Sequence, residues 1–327
     1  MTSAAPHFAL YPFRFTFRAA SPLYFPPGKA GNIVRGAFGL LFRKLACVPG
    51  CADVRTCPSR ELCCYARFFE PSASGPSGLA DPPRPFVFRA AHLDGRTIEP
   101  GREFCFDVHV FDLRDPALRY FVPAFAQLAE EGLGPGRGRA ELIRVEQLAA
   151  DRTPRATLYD GRTFLVRTAL TPLELDLSPP LHPVPRLCVR FVTPTQLKAA
   201  GEPVLRPAFG VLFARIRDRL STLRALYGPG PLEIDFKGMG ERAAAVRLLR
   251  SKLRWTETTR RSARSGRYHP LGGFTGEAEY EGDLAEFLPY LAAAQWTGVG
   301  RHTVWGNGQA EVALVTSATS ARSAALY

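Results

Sequence analysis

Acidic residues are in short supply: 30 Asp and Glu face 42 Lys and Arg in 327 residues, a formal charge of +12 and a pI near 9.7. That imbalance points to an acidic partner. Lysine is scarcer still, at positions 29, 44, 198, 237 and 252 only, so the positive charge is nearly all arginine. Arginine's planar fork takes phosphate bidentately and stacks on bases, which favours nucleic acid over a membrane surface. No apolar run reaches the ~20 residues of a membrane span. The segment HFALYPFRFTFRAA is broken by Arg14 and Arg18 and has neither a basic start nor a small-residue cleavage site, so it does not read as a signal peptide. Seven cysteines, an odd number without an export signal, argue against a disulfide framework and give a cytoplasmic expectation. No Gly-Lys-Ser/Thr follows the glycine-rich stretch near the C-terminus, which excludes a P-loop there, and the stretch follows a helix instead of opening one, which excludes a dinucleotide fingerprint.

What is present is globular, at 46% hydrophobic and 22% charged, and long enough for two domains. An internal repeat organises it. Phe121 to Gly134 (FVPAFAQLAEEGLG) aligns with Phe287 to Gly300 (FLPYLAAAQWTGVG), with Phe, Pro and both glycines in register. After a loop four residues longer in the second copy, GRAELIRV at 138–145 aligns with GQAEVALV at 308–315. Each copy therefore reads helix, glycine loop, strand.

Before the first repeated helix lie a strand at 8–19, a helical period at 33–45 and strands at 84–91 and 103–113 around a turn at Asp94-Gly95. The second half offers a strand at 187–193, a helix at 206–227, strands near 245–255 and 274–281, the repeated helix at 284–295 and a last strand at 310–316. Each half is β-α-β-β-α-β, the split βαβ order of a ferredoxin-like α+β domain. The expected domains are 1–180, with a Cys-rich insertion at about 46–80, and 181–327, with the boundary near the Pro-rich stretch 178–185.

Three stretches carry chemistry. The loop Gly298-Val-Gly-Arg-His-Thr-Val-Trp-Gly-Asn-Gly308 places Arg301 and His302 among Gly298, Gly300, Gly306 and Gly308, with Trp305 able to stack on a base. Such glycines either let backbone N–H groups approach a phosphate or satisfy turn geometry alone. The basic run 247–267, with Trp255 inside it, reads either as an RNA-binding face through Arg254, Arg260, Arg261, Arg264 and Arg267 or as a solvated surface; Lys44 adds a cation on the first helix. Cys47, Cys51, Cys57 and Cys63 cluster in the insertion, where they either hold a structural zinc or iron–sulfur cluster or stay as reduced thiols.

Tandem ferredoxin-like halves ending in a glycine-rich loop resemble the RAMP superfamily of CRISPR proteins, in particular its precursor-crRNA-processing endoribonuclease, the Cas6 type. The resemblance is carried by Arg35-Gly-Ala-Phe-Gly39, by FVTPTQLK at 191–198, by LGGFTGEAEYEG at 271–282, and by Leu288-Pro-Tyr-Leu with the loop 298–308. It implies cleavage of CRISPR repeat RNA without a catalytic metal, by 2′-hydroxyl attack on the adjacent phosphate. The product ends are a 2′,3′-cyclic phosphate and a 5′-hydroxyl. It also implies retention of the product stem-loop beside other Cas subunits; a catalytically inactive crRNA-binding subunit is the alternative. The family's general base is commonly a histidine on the first helix. Residues 35–45 contain none, and Leu40 stands in its place. The remaining candidates are His302 and His269, with Arg35 and Arg43 as stabilisers of phosphorane charge.

Overall fold

A computed structural model describes residues 6–71, 82–163, 165–167, 169–199, 201–261 and 268–315. The chain divides into two compact units, one comprising residues 9–173 with 226–228, the other residues 1–8, 174–225 and 229–327.

The first unit contains β1 (His7–Ala19), α1 (Ala30–Ala46), α2 (Cys64–Phe69), β2 (Phe86–Arg89), β3 (Glu103–Val110), α3 (Leu118–Glu131), β4 (Ala140–Leu148) and β5 (Pro154–Asp160). Its main sheet runs β2-β3-β1-β4-β5, every pair antiparallel. Alternation along β1 decides its faces. Phe13, Phe15 and Phe17 are fully buried, while Arg14 between them pairs with Asp107 at 2.8 Å on the other face. Phe38 of α1 fills the space above the sheet, its ring stacked 4.4 Å from Phe125 and 5.0 Å from Phe121 of α3. The helix α1 starts where Asp94 Oδ1 accepts the Ala30 N–H at 2.8 Å, so the expected Asp94-Gly95 turn also caps a helix.

The second unit contains β6 (Arg186–Thr195), α4 (Phe209–Tyr227), α5 (Phe236–Ala245), β7 (Arg247–Thr256), β8 (Thr259–Arg261), β9 (Tyr268–Pro270), β10 (Gly273–Glu281), α6 (Leu288–Thr297) and β11 (Ala310–Leu314). Its sheet runs β7-β10-β6-β11, and β8 with β9 forms a separate hairpin. Counting only the four strands of each β-α-β-β-α-β unit, both sheets have spatial order 2-3-1-4, all antiparallel, as the ferredoxin-like reading requires. α4 begins three residues later than expected, after Pro207. α5 has no counterpart among the expected elements; Asp235 caps it by accepting the Gly238 N–H at 2.8 Å.

Candidate nucleic-acid interface

The glycine loop closes over the end of β6. A Cβ on Gly300 would lie 2.4 Å from the Gln196 carbonyl oxygen, and one on Gly308 2.0 Å from that of Val299; both residues have φ near +75° (79° and 70°). The first copy repeats the device, with Gly134 against the Tyr24 carbonyl at 2.6 Å and Gly138 against that of Pro22 at 2.5 Å. Its Leu133 N–H donates to Gly138 O at 2.8 Å, as the Val299 N–H donates to Gly308 O at 2.9 Å. The N–H groups of Gly298, Arg301, Trp305, Gly306 and Gly308 likewise donate to backbone carbonyls of the chain itself. These positions are therefore set by turn geometry and close backbone contact.

Of the loop's side chains, Arg301 is exposed and His302 and Trp305 are half-buried. His302 sits at φ 62° in the left-handed region and precedes the single 3₁₀ turn Thr303–Trp305. Two side-chain bonds also fix the loop to neighbouring segments: Thr193 Oγ1 donates to Gly306 O at 2.9 Å, and Asn307 Nδ2 donates to Leu271 O at 2.8 Å. The Leu271 N–H donates in turn to Thr258 O at 2.6 Å, at the base of the β8–β9 hairpin. Loop, hairpin and the C-terminal end of β7 thus gather at one end of one sheet.

β7 is an edge strand whose basic residues do not all face solvent alone. Glu277, Glu279 and Glu281 of β10 line the outer face opposite Lys252, Arg250 and Arg247, with Arg190 and Arg186 of β6 on their far side. Arg247 and Arg186 both pair with Glu281, and Arg250 Nη1 lies 3.7 Å from Glu279 Oε1. Hydrogen bonds from Arg186 and then Arg247 hold the Glu281 carboxyl below its usual range. Each exposed pair contributes little stability, but together they cancel the charge of the strand's first half. The acidic stripe stops at Glu277. Arg254, opposite Thr275, is the first β7 cation beyond it. On the hairpin, Arg260 lies opposite His269 and Arg261 opposite Tyr268. Arg264 and Arg267 fall outside the described residues.

The candidates on α1 lie in the first unit. Arg35 lies over the Phe69 ring at 4.6 Å and the Phe86 ring at 5.8 Å. Arg43 Nη2 donates to Cys51 O and Ala52 O, both at 3.0 Å, and so ties the Cys-rich insertion to the helix. Lys44 is exposed, and Leu40 is 69% exposed on a surface concavity it shares with Arg43, Lys44 and residues 47–52. In the insertion, the Cys47 thiol interacts with those of Cys63 and Cys51, and Cys51 with that of Cys57. Burial first, then Cys63 and Cys51, push the Cys47 thiol up to about 11. Among the described residues, no group of three or more His, Cys, Asp or Glu side chains is disposed as a metal cage. No helix among them is long and apolar enough to cross a membrane.

Comparison with known proteins places this architecture. A family model described as an N-terminal domain matches residues 8–171, and the model for CRISPR-associated endoribonuclease Cas6 matches residues 189–310. An Archaeoglobus fulgidus protein described as an "Uncharacterized protein" is 26% identical over 305 residues, covering 92% of this chain and 97% of its own length. The product complex of a Thermus thermophilus Cas6 superposes with TM-score 0.54 at 18% identity, over 94% of this chain and 99% of that one. A partial Cas6-RT-Cas1–Cas2 complex gives TM-score 0.54 at 11% identity, over 99% of this chain and 49% of that one. The likeness to solved Cas6 structures extends along both ferredoxin-like units and shows a shared fold, and the unit that carries the loop matches the Cas6 family model.

Proposed function

We propose that the chain is an endoribonuclease that cuts CRISPR repeat RNA without a catalytic metal and keeps hold of the 3′ stem-loop within a crRNA–protein complex. The observation that carries this reading is the gathering of Arg254, the hairpin strands bearing Arg260, Arg261 and His269, and the loop residues Arg301, His302 and Trp305 at one end of the Cas6-matched sheet. The chemistry is a transesterification. His302 takes the proton of the 2′-hydroxyl, whose oxygen attacks the adjacent phosphorus. Arginine donors stabilise the charge on the non-bridging oxygens, and the 5′-oxygen leaves, taking up a proton, so that a cyclic phosphate remains. The test is incubation of the purified protein with repeat RNA in EDTA, followed by end analysis. A 2′,3′-cyclic phosphate supports the reading; cleavage that EDTA abolishes defeats it.

One observation favours a second reading, that of a crRNA-binding subunit without activity. Leu40 presents an inert side chain to solvent, while Arg35 and Arg43 are engaged in packing and in holding the insertion. Tight binding of uncut RNA in the same incubation selects it. Assembly with other Cas subunits belongs to both readings and is supported by the likeness to a chain of the Cas6-RT-Cas1–Cas2 complex.

Binding itself yields a prediction. Replacing Arg254, Arg260, Arg261, Arg264 and Arg267 by alanine is expected to weaken repeat-RNA affinity and to flatten the plot of log K against log salt by roughly 0.7–0.9 for each phosphate no longer neutralised. Arg247→Ala with Arg250→Ala leaves the slope as it was, because those side chains already face glutamates. Equal slopes for all three proteins would remove the run from the interface.

For the insertion, we propose a structural zinc held by Cys47, Cys51, Cys57 and Cys63. The pairwise thiol interactions support it, and the ion would deprotonate the Cys47 thiol that burial pushes up. The expected metal content is about one zinc per chain, abolished by Cys47→Ser or Cys63→Ser. Protein free of zinc and without iron–sulfur absorbance leaves reduced thiols as the answer.

A further inference from the structure

Trp255 is the penultimate residue of the edge strand β7, past the end of the acidic stripe, and it is 36% exposed although indole is among the largest apolar groups a surface can leave uncovered. Its register partner is Phe274, which is buried, so Trp255 extends the core-facing side of the sheet past its cover. The ring is also held in place. Its Nε1–H donates to Glu257 Oε1 at 2.6 Å, two residues along the chain. Beside it stands Gly272, where an added Cβ would lie 3.4 Å from Nε1 and 3.2 Å from Glu257 Oε2. Gly272 follows Leu271, the residue that links the glycine loop to the hairpin. An exposed aromatic face, fixed edgewise by a hydrogen bond, suits one ligand class above others: an unpaired nucleobase, which has a π-face whatever its identity. A base inside a duplex does not offer that face.

We infer that Trp255 is a stacking platform for one unpaired base of the bound RNA, with Glu257 as the residue that positions the indole. This rests on the RNA-binding reading above, which it sharpens by assigning a single-stranded nucleotide to the tip of β7. Because the indole is already oriented, stacking sacrifices little side-chain freedom.

The test measures affinity for repeat RNA and for a fully duplexed RNA of equal length, with wild type, Trp255→Ala, Trp255→Phe and Glu257→Ala. Stacking on one base is worth about 5- to 150-fold in affinity. Trp255→Ala is expected to lose that factor on repeat RNA only, Trp255→Phe to recover most of it, and Glu257→Ala to lose a smaller part. In a Trp305→Phe background, indole fluorescence should be quenched on addition of repeat RNA, since the other tryptophan, Trp296, is buried. Wild-type binding with Trp255→Ala equally tight, or with unquenched fluorescence, overturns the platform and leaves RNA binding standing. Failure of the wild type to bind either RNA overturns both.

Discussion

His302→Asn is expected to slow cleavage of repeat RNA by about 10²–10⁴-fold, the usual contribution of a general base, while RNA affinity stays within a few-fold. Asparagine is the informative replacement because His302 has φ 62°, a left-handed conformation that Asn adopts readily and alanine does not. His302→Ala would mix missing chemistry with a strained turn in a loop whose other residues are tightly bonded. Single-turnover cleavage and equilibrium binding, measured on the same RNA, separate the outcomes. Cleavage at the wild-type rate moves the base to His269, or leaves charge stabilisation by Arg35 and Arg43 as the source of rate. Loss of binding together with cleavage makes His302 an RNA ligand.

Gly308→Ala is expected to destabilise the second unit by about 2–4 kcal/mol, lowering its melting temperature by roughly 5–15 °C. Two costs combine: φ is 70°, and the new Cβ would sit 2.0 Å from the Val299 carbonyl oxygen, a backbone atom that cannot turn aside. Gly136 in the first-copy loop provides the control. Nothing lies within 4 Å of a Cβ there, so Gly136→Ala is expected to change stability by less than about 0.5 kcal/mol. Thermal melting of the two variants checks both statements. If Gly308→Ala melts like wild type, the loop's glycines are not demanded by packing.

The double β-α-β-β-α-β order was legible because the repeat fixed it: once 121–134 aligns with 287–300, each strand found in one half predicts its counterpart in the other. Residues outside that repeat were harder to read. The ten residues of α5 contain Gly238 and Gly240, which mask a helical period that the Asp235 cap could have flagged. Arg35 looked like a charge in search of phosphate, yet its guanidinium rests on Phe69, a contact across 34 positions that no local pattern encodes. The basic run of β7 looked uniformly positive for the same reason. Glu277, Glu279 and Glu281 are visible in the sequence, but only the pairing of β7 with β10 brings them opposite arginine. The loop stands out in the sequence by its glycines, and in the structure Gly300 and Gly308 lie against backbone carbonyls of the chain itself, a contact that local sequence does not encode.

The matching glycine contacts of the two copies bear on where the copies differ. Gly134 and Gly138 hold a short loop, and Gly300 and Gly308 hold a longer one, by the same kind of close approach to backbone carbonyls. Such anchors fix where each loop leaves and re-enters the fold, so the two copies differ in loop length while their strand order stays the same. The longer second-copy loop contains His302 and Trp305, so the residues on which the proposed chemistry rests lie in the part of the repeat where the two copies differ in length, outside both cores.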